Sequence, residues 1–197
     1  MKLPRTLFQL ISFVMLCGLS AAAQTIPSDA KQFLKDGLSF NYGSGWAFND
    51  TSNADAQQMV FGRTDGDAQI TVFVFRELLT KPEQIAEAKR ILVDKYVAST
   101  TKQFQQEDPH TQSAAATSEI GGVASEGVKI RASLGGVPGI AEIQSAVVGQ
   151  RLVVLTLLGS DRDVKKATPV WDLIRGTIKV DEPQPKIQPS PSPKSTP

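Results

Sequence analysis

Cysteine and histidine are nearly missing from this chain, which holds one of each, Cys17 and His110, in 197 residues. Cys17 lies in an apolar N-terminal run, so the chain beyond it has no disulfide, no thiolate nucleophile and no cysteine ligand for a metal. One histidine without a cysteine beside it cannot complete the usual catalytic triads or zinc sites from local motifs. No serine stands in a G-x-S-x-G elbow. Charge of one sign is lacking as well: 21 Lys and Arg face 20 Asp and Glu, with no basic stripe carrying interleaved aromatics. Such a surface has no electrostatic reason to seek nucleic acid or an anionic membrane.

Long hydrophobic runs are equally scarce. The one present, Leu7 to Leu19, follows Lys2 and Arg5 and precedes Ser20-Ala21-Ala22-Ala23. A basic start, an apolar centre and small residues at the end make a secretory signal over residues 1–23, cut between Ala23 and Gln24. The run is shorter than the ~20 residues needed to span a bilayer. Leu16 precedes Cys17 where lipoprotein processing wants a small residue, so no stable membrane anchor is expected after cleavage. Loss of Lys2 and Arg5 brings the mature chain to a net charge near −1. The predicted location is the periplasm or the exterior.

What remains divides by composition into a lead-in (24–36), a single domain (37–180) and a proline-rich tail (181–197). The tail, DEPQPKIQPSPSPKSTP, holds six prolines and almost nothing to bury, so it reads as extended and disordered. The lead-in suggests a short helical turn around Ala30 to Leu34. Leu38–Tyr42 alternates apolar and polar residues, and Met59–Phe61 and Ile70–Phe75 are dense in β-branched and aromatic residues. Asp65-Gly66 between the latter two predicts a hairpin. Pro82 then opens a long helix, with Thr80 placed as its cap and Glu83 in its first turn. Ile85, Ala88, Leu92 and Tyr96 share one face, which Val93, Val97 and Phe104 widen, and the helix must stop before Pro109.

Beyond it, Gly121-Gly122, Gly135-Gly136 and Gly149-Gln150 punctuate a second series of strands. The last of these, Leu152–Leu158, is apolar on both faces and reads as a central strand covered by helices on both sides. A helix over Val164 to Ile174 and a short strand over Thr177 to Val180 close the domain; Pro169 suggests that this helix starts near Thr168. Strands joined by glycine turns pair antiparallel, so the fold class is α+β: a mostly antiparallel sheet flanked by helices on both faces.

The segment Gly37-Leu-Ser-Phe-Asn-Tyr-Gly-Ser-Gly-Trp46 resembles the "G-hydrophobic-S-F-x-Y-P-x-G-W" opening of exported PsbP-like and DcrB-like domains. The long helix after an aromatic-rich strand and the Ile-Gly-Gly-x-Ala turn at Ile120–Ala124 match the same pattern, with Gly43 standing where the family often has proline. The resemblance covers residues 37–180 and implies an α/β/α sandwich. It implies no catalytic residue set and a role as an accessory or assembly factor.

Candidate chemistry is correspondingly thin. His110, in Asp108-Pro109-His110-Thr111, reads as a solvated loop histidine. Asp50, Asp55, Asp65, Asp67, Asp161 and Asp163 fall in loops and could gather around Ca²⁺, but none forms an EF-hand pattern, and Asp161 or Asp163 suits a helix cap. Phe40, Tyr42, Trp46, Phe61, Phe73 and Phe75 form either core or the lining of a ligand groove. No catalytic, cofactor or metal residue is therefore assigned. The expectation is a non-enzymatic accessory or protein-binding domain of the cell envelope, its partner an envelope or secreted protein. The alternative is a small-molecule or Ca²⁺-binding module that uses the aromatic sheet face and the loop carboxylates.

Overall fold

The computed structural model describes residues 27–181. The signal read at 1–23 and the tail from 182 onward lie outside them. Ten strands form two antiparallel sheets among the described residues. The small sheet has the order β1 (Lys31–Lys35), β2 (Leu38–Tyr42) and β10 (Lys179–Val180). The large sheet begins with β3 (Ala47–Asp50), β4 (Ala56–Gly62) and β5 (Gln69–Phe75), continues through β9 (Arg151–Ser160) and β8 (Val137–Val148), and ends with β7 (Val123–Leu134) and β6 (Gln112–Ile120). The hairpin expected around Asp65-Gly66 is β4–β5, in one-to-one register from Ala56↔Phe75 to Gly62↔Gln69.

β9 lies at the centre, between β5 and β8. Its side chains alternate between two cores, as the period of two requires. Val153, Leu155 and Leu157 join a cluster with Val164, Trp171 and Ile174 of the last helix, and with Phe33, Leu38 and Phe40 of the small sheet. Leu152 and Val154 join a second cluster with Val93 and Phe104 of the long helix.

The lead-in differs from expectation: residues 31–35 form strand β1, not a helical turn. Phe33 decides this. In the strand it is buried and stacks on Phe40, with ring centroids 4.9 Å apart, and an extended backbone sends its flanking residues outward.

The long helix runs from Pro82 to Glu107 in three parts: α1 (Pro82–Ala88), a π-helical segment (Lys89–Asp94) and α2 (Lys95–Glu107). It stops before Pro109, as expected. Its N-cap is Lys81 and not Thr80; the Gln84 side chain accepts from the backbone N–H groups of both Thr80 and Lys81, at 3.1 Å each. The π segment takes up one extra residue and so changes which side chains face the sheet. Ala88 is buried before it, Val93 within it and Phe104 after it, whereas Tyr96 is 42% exposed. The two apolar series seen in the sequence are one stripe shifted in phase.

The last helix, α3 (Asp161–Thr177), starts seven residues before Thr168 and carries Pro169 in its interior. Val164, Ala167, Trp171 and Ile174 lie three or four residues apart and are all buried. That continuous buried stripe outweighs the hydrogen bond lost at Pro169. Two turns explain how α3 and β10 dock: Gly121 and Gly149 have φ of +58° and +54°. A Cβ at Gly121 would lie 2.5 Å from the Ile178 carbonyl oxygen, and one at Gly149 would lie 2.0 Å from that of Val180. Only glycine allows both the left-handed turn and the close approach. No helix among the described residues is long and apolar enough to cross a membrane.

Candidate functional site

A sheet of seven strands has two edges, and here they differ. β3, at one end, is four residues long. Its Asp50 is ion-paired to Lys35 at 2.6 Å, and its Phe48 packs edge-on against Phe33 of the small sheet. The Lys35 ammonium, then the Ser52 groups, hold the Asp50 carboxyl well below the usual carboxylate range. This edge is short, charged and flanked by β1.

β6, at the other end, is nine residues long and reads Gln-Ser-Ala-Ala-Ala-Thr-Ser-Glu-Ile. It pairs with β7 without interruption from Gln112↔Arg131 to Ile120↔Val123, so no bulge bends it. Gln112 to Ala115 are exposed and Glu119 is the strand's only charge. Lysine, proline, bulges and covering elements are the devices that usually blunt an edge strand. β6 has none of these along its outer half. Three consecutive alanines also leave room above and below the backbone for the side chains of an added strand. Gly121-Gly122 marks the end of a strand in the sequence, but nothing there says which strand ends the sheet, because edge position is a property of topology.

The residues singled out in the sequence separate into groups. Phe40, Tyr42, Trp46 and Phe61 are buried in a filled core, where Phe40 and Phe61 lie 5.7 Å apart edge-to-face. Those four are thus part of the core, the first of the two readings the sequence allows. Phe73 and Phe75 lie apart from them, half-buried on the face covered by the long helix. His110 is exposed in its loop, where Asp108 accepts hydrogen bonds from the backbone N–H groups of His110 (2.8 Å) and Ser133 (2.7 Å). Those two bonds hold the Asp108 carboxyl below its ordinary range.

The loop carboxylates are interleaved with cations. Asp65 pairs with Arg63, Asp161 with Arg131, and Asp163 with both Arg162 and Lys166. Asp67 accepts from the Ser160 hydroxyl at 3.0 Å. Asp163 is buried at 2% side-chain exposure, and Arg162, then Lys166, keep its carboxyl well below the usual range. The N-cap of α3 is Ser160 and not Asp161 or Asp163; both aspartates lie in the first turn, where the helix dipole favours them. No group of three or more His, Cys, Asp and Glu side chains placed to hold a metal occurs among the described residues.

One residue escaped sequence reasoning. Arg151 heads the apolar strand β9 directly after the Gly149-Gln150 turn and is 3% exposed. Its Nη1 donates to the Gln57 Oε1 at 3.5 Å, and its Nε has no partner. Burial, then the neighbouring Arg76, pull the Arg151 guanidinium below its ordinary pKa.

No family model matches the sequence, and no curated protein matches it. Solved structures do. A crystal structure from Bacteroides thetaiotaomicron VPI-5482 has a TM-score of 0.51 at 13% identity, over 78% of this chain; the chain spans about half of that protein, 49%. The likeness is one of fold. Cyanobacterial PsbP (CyanoP) from Synechocystis sp. PCC 6803 has a TM-score of 0.48 at 15% identity, with 82% of this chain and 98% of that one covered. LpqN, involved in cell envelope biogenesis of Mycobacterium tuberculosis, has a TM-score of 0.37 at 11% identity, with 80% and 82% covered. A PsbP is thus among the structures to which this chain is similar.

Proposed function

We propose that this chain is an exported, non-catalytic accessory domain of the cell envelope that binds an extended segment of another envelope or secreted protein along β6. Its frame, on this reading, is a sheet with helices on both faces, which the two core clusters on either side of β9 support. The observation that carries the reading is the nine-residue, nearly uncharged, unbulged edge. An added strand takes its affinity from the main-chain hydrogen bonds and its specificity from alternate side chains. The engagement of Asp50, Asp65, Asp161 and Asp163 by arginine and lysine supports a binding role over hydrolysis or metal chemistry.

Successive residues of an antiparallel edge strand turn their N–H groups alternately inward and outward. Proline at an outward position therefore blocks strand addition and leaves the β7 ladder whole. The test places a photocrosslinking residue at Ser113 in the full chain expressed in cells, with and without Ala114→Pro or Ala115→Pro. One crosslinked partner is expected, lost with one of the two prolines while circular dichroism stays native. Crosslinks that persist in both folded variants would refute binding at this edge.

A further inference from the structure

The phase shift in the long helix leaves Leu92 half-buried at the margin of the second core and Tyr96 outside it, and both line a cavity. This cavity, of about 260 Å³, lies between the helix and the β4, β5 and β9 part of the sheet. Its apolar wall is Leu92, Tyr96, Phe73 and Val154. Its polar floor is Gln58, Thr71 and Thr156. Register explains the floor: Thr71 stands opposite Thr156, and Gln58 opposite Phe73, so all of them share one face. Tyr96 also lines a larger cleft of about 920 Å³ that runs past Phe104, Val137 and Leu158 to the surface.

The floor is chemically out of place in a helix-covered sheet face. Thr156 is only 6% exposed, and the side chains of Gln58, Thr71 and Thr156 make no hydrogen bond among the described residues. Their polar atoms are reached from the cavity rather than sealed in the core, since Arg151 Nε is the one fully buried side-chain polar atom without a partner among the described residues. No charged side chain lines the inner cavity; Asp67, Glu107, Asp161 and Arg162 belong to the outer cleft. A concave apolar wall with a few converging polar groups is the ordinary make-up of a small-molecule site.

We propose that this cavity binds an uncharged amphiphile, an alcohol-like molecule whose ring or chain lies against Leu92, Tyr96 and Phe73 and whose hydroxyl bonds to Thr71, Thr156 and Gln58. The absence of charge in the inner cavity selects against carboxylates and amines, which would be desolvated there without a counter-ion. The outer cleft takes the remainder of a longer chain. The site is independent of the β6 edge and stands or falls separately.

The test uses the mature chain and the neutral dye N-phenyl-1-naphthylamine, whose fluorescence rises in apolar surroundings. Saturable binding is expected, displaced by 1-decanol at concentrations about tenfold lower than by decanoate or decylammonium, equivalent to ~1.4 kcal/mol of selectivity. Leu92→Trp fills the cavity from the helix and Gln58→Phe from the sheet; whichever folds, as judged by circular dichroism, should lose the dye signal. Thr156→Val keeps the shape and removes the hydroxyl, so it should weaken decanol about tenfold and leave dye binding unchanged. Absence of saturable binding, binding that survives a folded filling variant, or equal displacement by the charged ligands overturns the proposal.

Discussion

At the scale of single residues the most unusual group is Arg151. A buried ion pair is weak evidence of stability because desolvation offsets its Coulombic gain, and Arg151 lacks even a carboxylate partner: its one side-chain hydrogen bond is the 3.5 Å contact to Gln57. Arg151→Met keeps the length of the stem and removes the desolvated charge. We expect it to be neutral or stabilising by about 1–4 kcal/mol, a Tm raised by roughly 2–4 °C per kcal/mol. A clear fall in Tm by differential scanning fluorimetry would show that the guanidinium holds Gln57 in place, whose Nε2 donates to the Lys35 carbonyl oxygen at 2.9 Å. Asp163 makes the opposite prediction. Its folded-state pKa is lowered, so its contribution is present above the unfolded-state value of ~3.9 and is lost as pH falls through the folded value. Melting curves from about pH 7 down to about pH 2 should therefore drop more steeply for the wild type than for Asp163→Asn; parallel curves would remove Asp163 from the acid response.

At the scale of elements, the long helix shows both what the sequence discloses and where it stops. Ile85, Ala88 and Leu92 follow one helical phase and Val93, Val97 and Phe104 another, so both stripes were visible. Their relation was not, because a π segment depends on how each half docks on the sheet and has no residue signature of its own. The same holds for Pro169, where burial of Trp171 and Ile174 overrides a strong local signal, and for β1, whose lone buried Phe33 gives no period to read. The hairpins, by contrast, were legible from their turn residues, since Asp65-Gly66, Gly121-Gly122 and Gly149-Gln150 fix local geometry. The candidate sites fared worst: the β6 edge and the cavity arise from strand order and phase. Removing one residue tests the phase argument. Deletion of Ile91 lets a regular α-helix place Ala88, Val93, Val97 and Phe104 on one face, at the 3.6-residue repeat. The variant should fold with native circular dichroism and an unchanged or higher Tm, yet lose the dye-binding cavity as Leu92 moves. A variant that unfolds would mean that the π segment is needed for docking and not for the cavity.

At the scale of the whole molecule, β9 is the strand that both cores share, and β6 is an edge strand that gives only its last residue, Ile120, to a core. Val153, Leu155 and Leu157 on one side and Leu152 and Val154 on the other bind the two clusters into one unit, so neither layer can leave without exposing the same strand. Such a strand should open only with global unfolding, whereas an edge strand with exposed residues opens locally at low cost. Native-state hydrogen exchange makes the comparison directly. The amides of Leu152–Leu158 should exchange last, with a denaturant dependence equal to that of global unfolding. The amides of Gln112–Ala115 that face β7 should exchange early and nearly independently of denaturant, because their opening exposes little surface. If β6 binds an extended partner segment, saturating partner should slow those early amides selectively, since strand addition gives the edge a second neighbour and leaves β9 as it was. Uniform slowing across all strands would instead report global stabilisation by binding elsewhere, and early exchange in β9 would mean that the two cores unfold separately.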